Sequence, residues 1–170
     1  MRLAVCPLAE LDAEVTRLTP AAVISLLGPE QALPAIPGDA PRLVLRFNDV
    51  AAPAPKMVVP TCEMVERLLA FAAAVPPDGV LLIHCWMGIS RGPAAAFVLA
   101  CAGAPAAPEI DIAAELRRVA PSATLNPFLV RLADQALERE GRMSAAVAQI
   151  GRGCDAARGE AFELDLRAMR

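Results

Sequence analysis

The chain reads as an α/β fold: a central, mostly parallel sheet of four to five strands with helices on both faces. Three observations carry that reading. The apolar runs Leu3 to Val5, Ala21 to Leu27, Leu43 to Phe47 and Val80 to Ile83 are continuous rather than alternating, as in strands covered on both sides. Helical patterns fall between and after these runs, and strand and helix in alternation imply parallel pairing. Finally, 170 residues, 56% of them hydrophobic, suffice for one domain with a real core and are too few for two. A single domain over residues 1–170 is expected, its core at about 1–140 and a C-terminal tail, 141–170, packed on it.

In chain order, the first strand at Leu3 to Val5 leads into a periodic stretch, Leu8 to Leu18, with Glu10, Asp12 and Glu14 early, as a helix N-terminus favours. The strands at Ala21 to Leu27 and Leu43 to Phe47 follow. Thr61 to Ala74 opens on an N-cap threonine and puts Met64, Val65, Leu68, Leu69 and Ala72 on one face. The Val80 to Ile83 strand precedes a small-residue helix, Pro93 to Ala102, with Pro93 suited to its first turn. Further helices are expected over Pro108 to Val119, Asn126 to Glu140 and Ser144 to Ile150. Phe162 to Leu166 alternates like an edge strand, or forms a solvated tail patch.

Composition excludes several classes. A net charge of -3 argues against a nucleic-acid partner, which needs a basic face. The longest apolar runs are about half of the ~20 residues a membrane span needs, so no membrane association is expected. The N-terminus lacks the charged-then-apolar plan of a signal peptide, and a cytoplasmic location is expected. Cysteines at 6, 62, 85, 101 and 154 are odd in number and widely spaced, which suggests neither a disulfide framework nor a zinc site, and one histidine makes a metal site hard to build. No cofactor is expected. Lys56 is the only lysine among many arginines and alanines, a composition typical of a high-GC bacterium.

One stretch announces a chemistry: His84-Cys85-Trp86-Met87-Gly88-Ile89-Ser90-Arg91. Cysteine and arginine flank five residues between a strand and a helix, the layout of a loop whose backbone N–H groups cradle a tetrahedral anion at a helix N-terminus. Arg91 would close the cradle with a bidentate fork. The same field is expected to lower the Cys85 thiol from its usual ~8.5, making it a thiolate nucleophile at neutral pH. Gly88 is expected where the loop needs a positive φ or close approach. His84 points to the side opposite its neighbour at a strand end, so it is expected to brace the loop backbone rather than to act as a base for Cys85. Trp86 and Met87 fit either the pocket mouth or the core.

Cleaving a phosphate ester also needs a general acid on the same edge of the sheet as the cradle. Asp78 precedes the Val80 strand and falls roughly 15 to 20 Å away, at the opposite edge. Asp39 enters its strand from the wrong end, while Asp111 and Asp134 belong to helices and should face the surface. Asp49 follows Phe47-Asn48 at the carboxyl end of a strand and passes the test; Glu30 is the runner-up on the same argument.

These residues resemble the cysteine-dependent protein tyrosine and dual-specificity phosphatases, whose signature is His-Cys, five residues, Arg, and most closely the small bacterial members. The resemblance covers roughly residues 1 to 140. It implies hydrolysis of a phosphate monoester, on a protein or a small molecule, through a phosphocysteine, without a metal, with Cys85, Arg91 and Asp49 catalytic. The family carries its acid thirty to forty residues before the cysteine; Asp49 stands 36 before. Met57 to Val75 looks like the helix that leads to the signature strand. Leu116 to Pro121 and then Asn126-Pro127 are similar to the family's arginine-rich helix end and the start of its next helix, where Asn126 is read as a structural N-cap.

The chain also departs from the pattern. Gly92 stands where the family has Ser or Thr, whose hydroxyl supports the thiolate and the breakdown of the phosphocysteine. This leaves open a weakened, phosphate-binding pseudophosphatase. No Lys or Arg lies between Cys85 and Arg91, which disfavours inositol-phosphate substrates. A rhodanese-like sulfurtransferase is a third reading, against which Asp49 and His84 speak. Cys62 and Cys101 are read as inert core cysteines rather than redox partners of Cys85.

Overall fold

In a computed structural model, which describes residues 1–169 and so leaves Arg170 of the expected domain outside the described residues, five strands form one sheet in the order β3-β2-β4-β1-β5. The strands are β1 (Arg2–Pro7), β2 (Ala22–Leu27), β3 (Arg42–Arg46), β4 (Val80–Cys85) and β5 (Phe162–Asp165). The first four are mutually parallel, and β5 runs antiparallel to β1 at the edge, so the alternation at 162–166 is that of an edge strand. The helices are α1 (Leu11–Leu18), α2 (Cys62–Ala73), α3 (Arg91–Gly103), α4 (Glu109–Val119), α5 (Pro127–Ala136) and α6 (Arg142–Ile150).

Both faces of the sheet are covered, but unequally. Val23, Val80, Leu82, Ala4 and Cys6 pack against Leu11 and Val15 of α1. The other face meets the remaining helices in a larger cluster centred on α3, which is buried from Arg91 through Cys101 because small and apolar residues surround its whole circumference. Residues Val80 to Cys85 are all buried, as expected of a strand with neighbours on both edges and both faces.

Several boundaries move. Leu8 to Glu10 form a single 3-10 turn before α1. The segment from Met57 becomes helical only at Cys62, with Thr61 Oγ1 accepting from the Met64 N–H at 3.2 Å. The helix expected to reach Glu140 stops at Ala136, after which Glu138 and Glu140 take positive φ of 53°. Asp134, expected at the surface, is buried: its carboxylate accepts from the N–H groups of Gly141 and Ser144 and caps α6. Cys62 is exposed rather than a core residue, while Cys101 is buried in α3.

Candidate active site

The carboxyl ends of β1, β2, β3 and β4 share one edge of the sheet, and there the chain after β4 makes a tight loop before α3 begins at Arg91. Its carbonyls are turned outward and held. Trp86 O accepts from Leu8 N–H (3.1 Å), Met87 O from Gly159 (2.9 Å), Ile89 O from Thr124 (2.9 Å) and Ser90 O from Ala94 (3.0 Å). The N–H groups of residues 86–90 make no backbone hydrogen bond among the described residues, which leaves them for the interior of the loop. Gly88 has φ of 70°, and a Cβ there would come within 3.0 Å of Pro7 N. Both reasons for a glycine hold at that position.

Cys85 lies at the floor, 2% exposed, with the N–H groups of Gly88 and Gly92 near enough to its sulfur to favour the anion. Burial pushes its thiol up; those two N–H groups and the Arg91 guanidinium pull it down, while Asp49 pushes it up further. The expected resting thiolate is thereby corrected: it weighed only the lowering influences, and desolvation by burial outweighs them. Cys6 and Cys101 are pushed up to about 12, mainly by burial.

Arg91 is buried, 7% exposed, and one Nη donates to Phe47 O at 3.1 Å. Its Nε is buried with no hydrogen-bond partner. A buried guanidinium donor without an acceptor costs free energy unless a ligand supplies one, and beside Cys85 an oxyanion is the ligand that fits.

Asp49 is exposed and faces the loop. Its Oδ1 accepts from Ser90 Oγ (2.7 Å) and Asn126 Nδ2 (2.7 Å). Asn126 Oδ1 caps α5 by accepting from Leu129 N–H, as the N-cap reading expects, and its amide also reaches Val50 O at 3.1 Å. Asn126 thus ties the segment that bears Asp49 to a helix start. Glu30 is exposed, and the cavity wall next to it is formed by Gln31 instead. Asp78 lies in the turn preceding β4 and Asp39 in the irregular segment preceding β3, away from this edge.

His84 is fully buried and departs from expectation. Its Nε2 meets Ser25 Oγ at 2.8 Å and Arg42 Nη2 at 3.3 Å, while Arg42 Nε donates to Ser25 Oγ at 2.7 Å. Arg42 can only donate, so the neutral ring accepts at Nε2 and carries its proton on Nδ1. The side chain therefore ties β4 to β2 and β3, and Nδ1 has no partner of good geometry. Burial and Arg42 push its pKa down to about 4.

Cys85, Arg91, Asp49, Trp86, Met87, Ile89 and Ser90 all line one cavity of about 450 Å³. Trp86 and Met87 are exposed at its mouth, which decides between mouth and core. A larger cavity, about 810 Å³, lies far from this edge between α4 and β5; it holds neither cysteine nor histidine. Among the described residues no group of three His, Cys, Asp or Glu is placed to hold a metal, and no helix is long and apolar enough to cross a membrane.

The segment after α6, about which the sequence says least, turns out to support the loop. Gly159 donates to Met87 O, and a Cβ on it would meet Gly88 O at 2.6 Å. Cys154 donates to Pro121 O and Gly153 to Thr124 Oγ1, and Arg158 pairs with Glu10 at 3.4 Å. Arg117, in the expected arginine-rich helix end, fastens the start of this segment through Gly151 O at 2.7 Å.

This architecture is the dual-specificity phosphatase fold. Human DUSP28 is 19% identical with a TM-score of 0.61, covering 81% of this chain and 94% of its own. A mouse putative dual specificity phosphatase, solved with zinc tungstate, is 18% identical with a TM-score of 0.60, covering 85% and 86%. Tk-PTP in its active form is 21% identical with a TM-score of 0.54, covering 82% and 93%. No protein-family model matches the sequence, and no curated protein does.

Proposed function

We propose that this protein is a phosphate monoester hydrolase of the protein tyrosine and dual-specificity type, working through a phosphocysteine. The observation that carries the reading is convergence: the Cys85 sulfur, the unpartnered Nε of buried Arg91 and the N–H groups of residues 86–90, none of them bonded to another backbone group, meet around one cavity. A tetrahedral dianion satisfies all of them. The fold likeness to phosphatases, one of them solved with the oxyanion tungstate, supports it.

In this mechanism the Cys85 thiolate attacks phosphorus, and the bond to the leaving oxygen breaks as that oxygen takes a proton from Asp49. Asp49 Oδ1 already accepts from two donors, so the transferred proton resides on Oδ2. Protonating Asp49 also removes the negative charge that pushes the Cys85 thiol up, so the protonated acid and the thiolate support one another. In the second step a water attacks phosphorus, gives its proton to Asp49, and the S–P bond breaks with its electron pair returning to sulfur. Phosphate leaves. The substrate is a phosphorylated protein or a small phosphomonoester.

Gly92 favours a second reading, a phosphate-binding pseudophosphatase. A Cβ at 92 would stand 3.4 Å from the Cys85 sulfur, so a serine hydroxyl would reach it, and the natural chain has none. Hydrolysis of para-nitrophenyl phosphate that is abolished in Cys85→Ser supports the enzyme. Phosphate binding without hydrolysis, with turnover gained in Gly92→Ser, supports the pseudophosphatase. Val5 Cγ1, 3.1 Å from that Cβ, must give way slightly in the variant.

A further inference from the structure

The outer rim of the cavity carries a pattern of its own, and its meaning rests on the phosphatase reading above. Among the described residues the large apolar side chains left exposed are Leu33, Met57, Val58, Trp86 and Met87, with accessibilities from 39% to 53%. Two of them line the cavity above Cys85, and the other three belong to the two segments, 31–33 and 48–58, that supply its opposite wall. Trp86 and Met87 line it directly. Val58 is hydrogen-bonded twice to the lining residue Asn48, and Met57 precedes it. Leu33 follows shortly after Gln31, another lining residue, whose carbonyl Arg46 Nη1 holds at 2.6 Å. Scattered exposed apolar residues are ordinary, whereas their confinement to one rim marks a contact surface.

The occupant of that surface follows from the position of the sulfur. Cys85 lies on the floor, so whatever carries the phosphate must lie across the rim to reach it. The rim offers little to a polyanion. Arg46 is spent on the carbonyls of Gly28, Pro29 and Gln31, Arg42 on Ser25, Pro34 and His84, and Lys56 is the one lysine nearby. A bilayer that displays phosphomonoesters is anionic and recruits clusters of basic residues, which a chain of net charge -3 with one lysine does not provide at this rim. The rim is also held in place before binding, through Arg42 to Pro34 O (2.6 Å) and Asn48 to Val58, so little ordering cost falls on the complex.

We propose that the substrate is a polypeptide segment with apolar side chains next to its phosphorylated residue, and that Leu33, Met57 and Val58 cover those neighbours while Trp86 and Met87 contact the phosphorylated residue. Trp86 is the only tryptophan of the chain, so its fluorescence reports occupancy of the mouth with or without turnover. The test uses phosphopeptides with leucine or with glutamate on both sides of the phosphorylated residue, each made with phosphotyrosine and with phosphoserine. Hydrolysis and Trp86 fluorescence titration are measured for wild type and for Leu33→Ser/Met57→Ser. The expected result is a leucine-over-glutamate preference of about tenfold, the effect of half-burying two such side chains, that the double variant loses. Its rate on para-nitrophenyl phosphate should stay within about twofold, since that ester is too short to reach either side chain. Equal use of both peptides, or faster hydrolysis of a phosphomonoester lipid in vesicles than of any peptide, overturns the proposal. Failure to hydrolyse even para-nitrophenyl phosphate counts against the phosphatase reading instead, and the fluorescence preference then shows whether the rim still selects apolar peptides.

Discussion

The loop from Cys85 to Arg91 and the segment from Asn48 to Pro60 face one another across a single cavity, yet they are held in different ways. Four separate parts of the fold grip the first: the turn after β1 at Leu8, the first turn of α3 at Ala94, the α4–α5 connection at Thr124, and the distant Gly159. The second is exposed from Ala51 through Val58, and it is held mainly by Asn48 to Val58 and by Asn126 and Ser90 to Asp49 and its neighbour. The difference suits the two tasks proposed for them. An anion cradle works only if its dipoles are fixed before the charge develops, whereas an acid must meet leaving groups of varied shape and needs only its carboxyl aimed.

Replacing Asp49, the proposed acid, is expected to give the largest effect short of removing the proposed nucleophile. Asp49→Asn keeps the side-chain shape and the acceptor for Ser90 but supplies no proton, and turnover of alkyl phosphates is expected to fall about 10²- to 10⁴-fold. Because Asp49 pushes the Cys85 thiol up, the same variant should alkylate with iodoacetamide faster at neutral pH than wild type. Slower alkylation, or unchanged turnover, would remove Asp49 from the role.

The cradle is tested from behind. In Gly159→Ala the new Cβ collides with the Gly88 carbonyl, which is backbone and cannot swing aside, so the loop must shift. A displacement near 1 Å at the reacting centre is expected to cost about 10²-fold in kcat/KM. Calorimetric binding of inorganic phosphate should weaken in parallel, which separates a displaced cradle from a displaced acid: Asp49→Asn should leave phosphate binding nearly intact. Full activity in Gly159→Ala would show that the loop keeps its shape without the tail.

This contrast also explains what the sequence reveals and what it hides. The cradle is legible because its parts are neighbours in the chain: a buried run, His84-Cys85, a glycine needing positive φ, and an arginine at a helix start. Asp49 is legible by topology, since only carboxyl ends of parallel strands share the edge with Cys85. The tail's grip is hidden, because Gly159 reaches the loop through one N–H and a missing side chain, and neither leaves a periodic trace. The direction of the Cys85 thiol is hidden too, since burial is a property of the assembled core. Asp134 misleads for a related reason: its partners are N–H groups of a helix that begins only after the chain has turned back.

His84 gives the smallest effect and the sharpest reading of how the cradle is anchored to the sheet. With the ring pushed down to about 4, the folded protein keeps His84 neutral where the unfolded chain already takes up a proton, near its ordinary 6.5. The unfolded state therefore binds more protons between those values. Stability is full above 6.5 and is lost as pH falls toward 4, by about 2 kcal/mol between pH 7 and pH 5 from this group. As the chain's only histidine, it gives a single imidazole C2–H resonance whose titration reads the pKa directly. Ser25→Ala removes the hydroxyl that donates to Nε2 and leaves Arg42 as the neighbour there, and a protonated ring beside a guanidinium remains unfavourable. The imidazole should stay well below 6.5 in that variant, whereas Arg42→Met, which removes the nearby charge, should bring it up and flatten the acid slope of stability. A resonance titrating near 6.5 in the wild type would mean that the ring is not sealed between β2, β3 and β4, and that the cradle's first residue is anchored by something else.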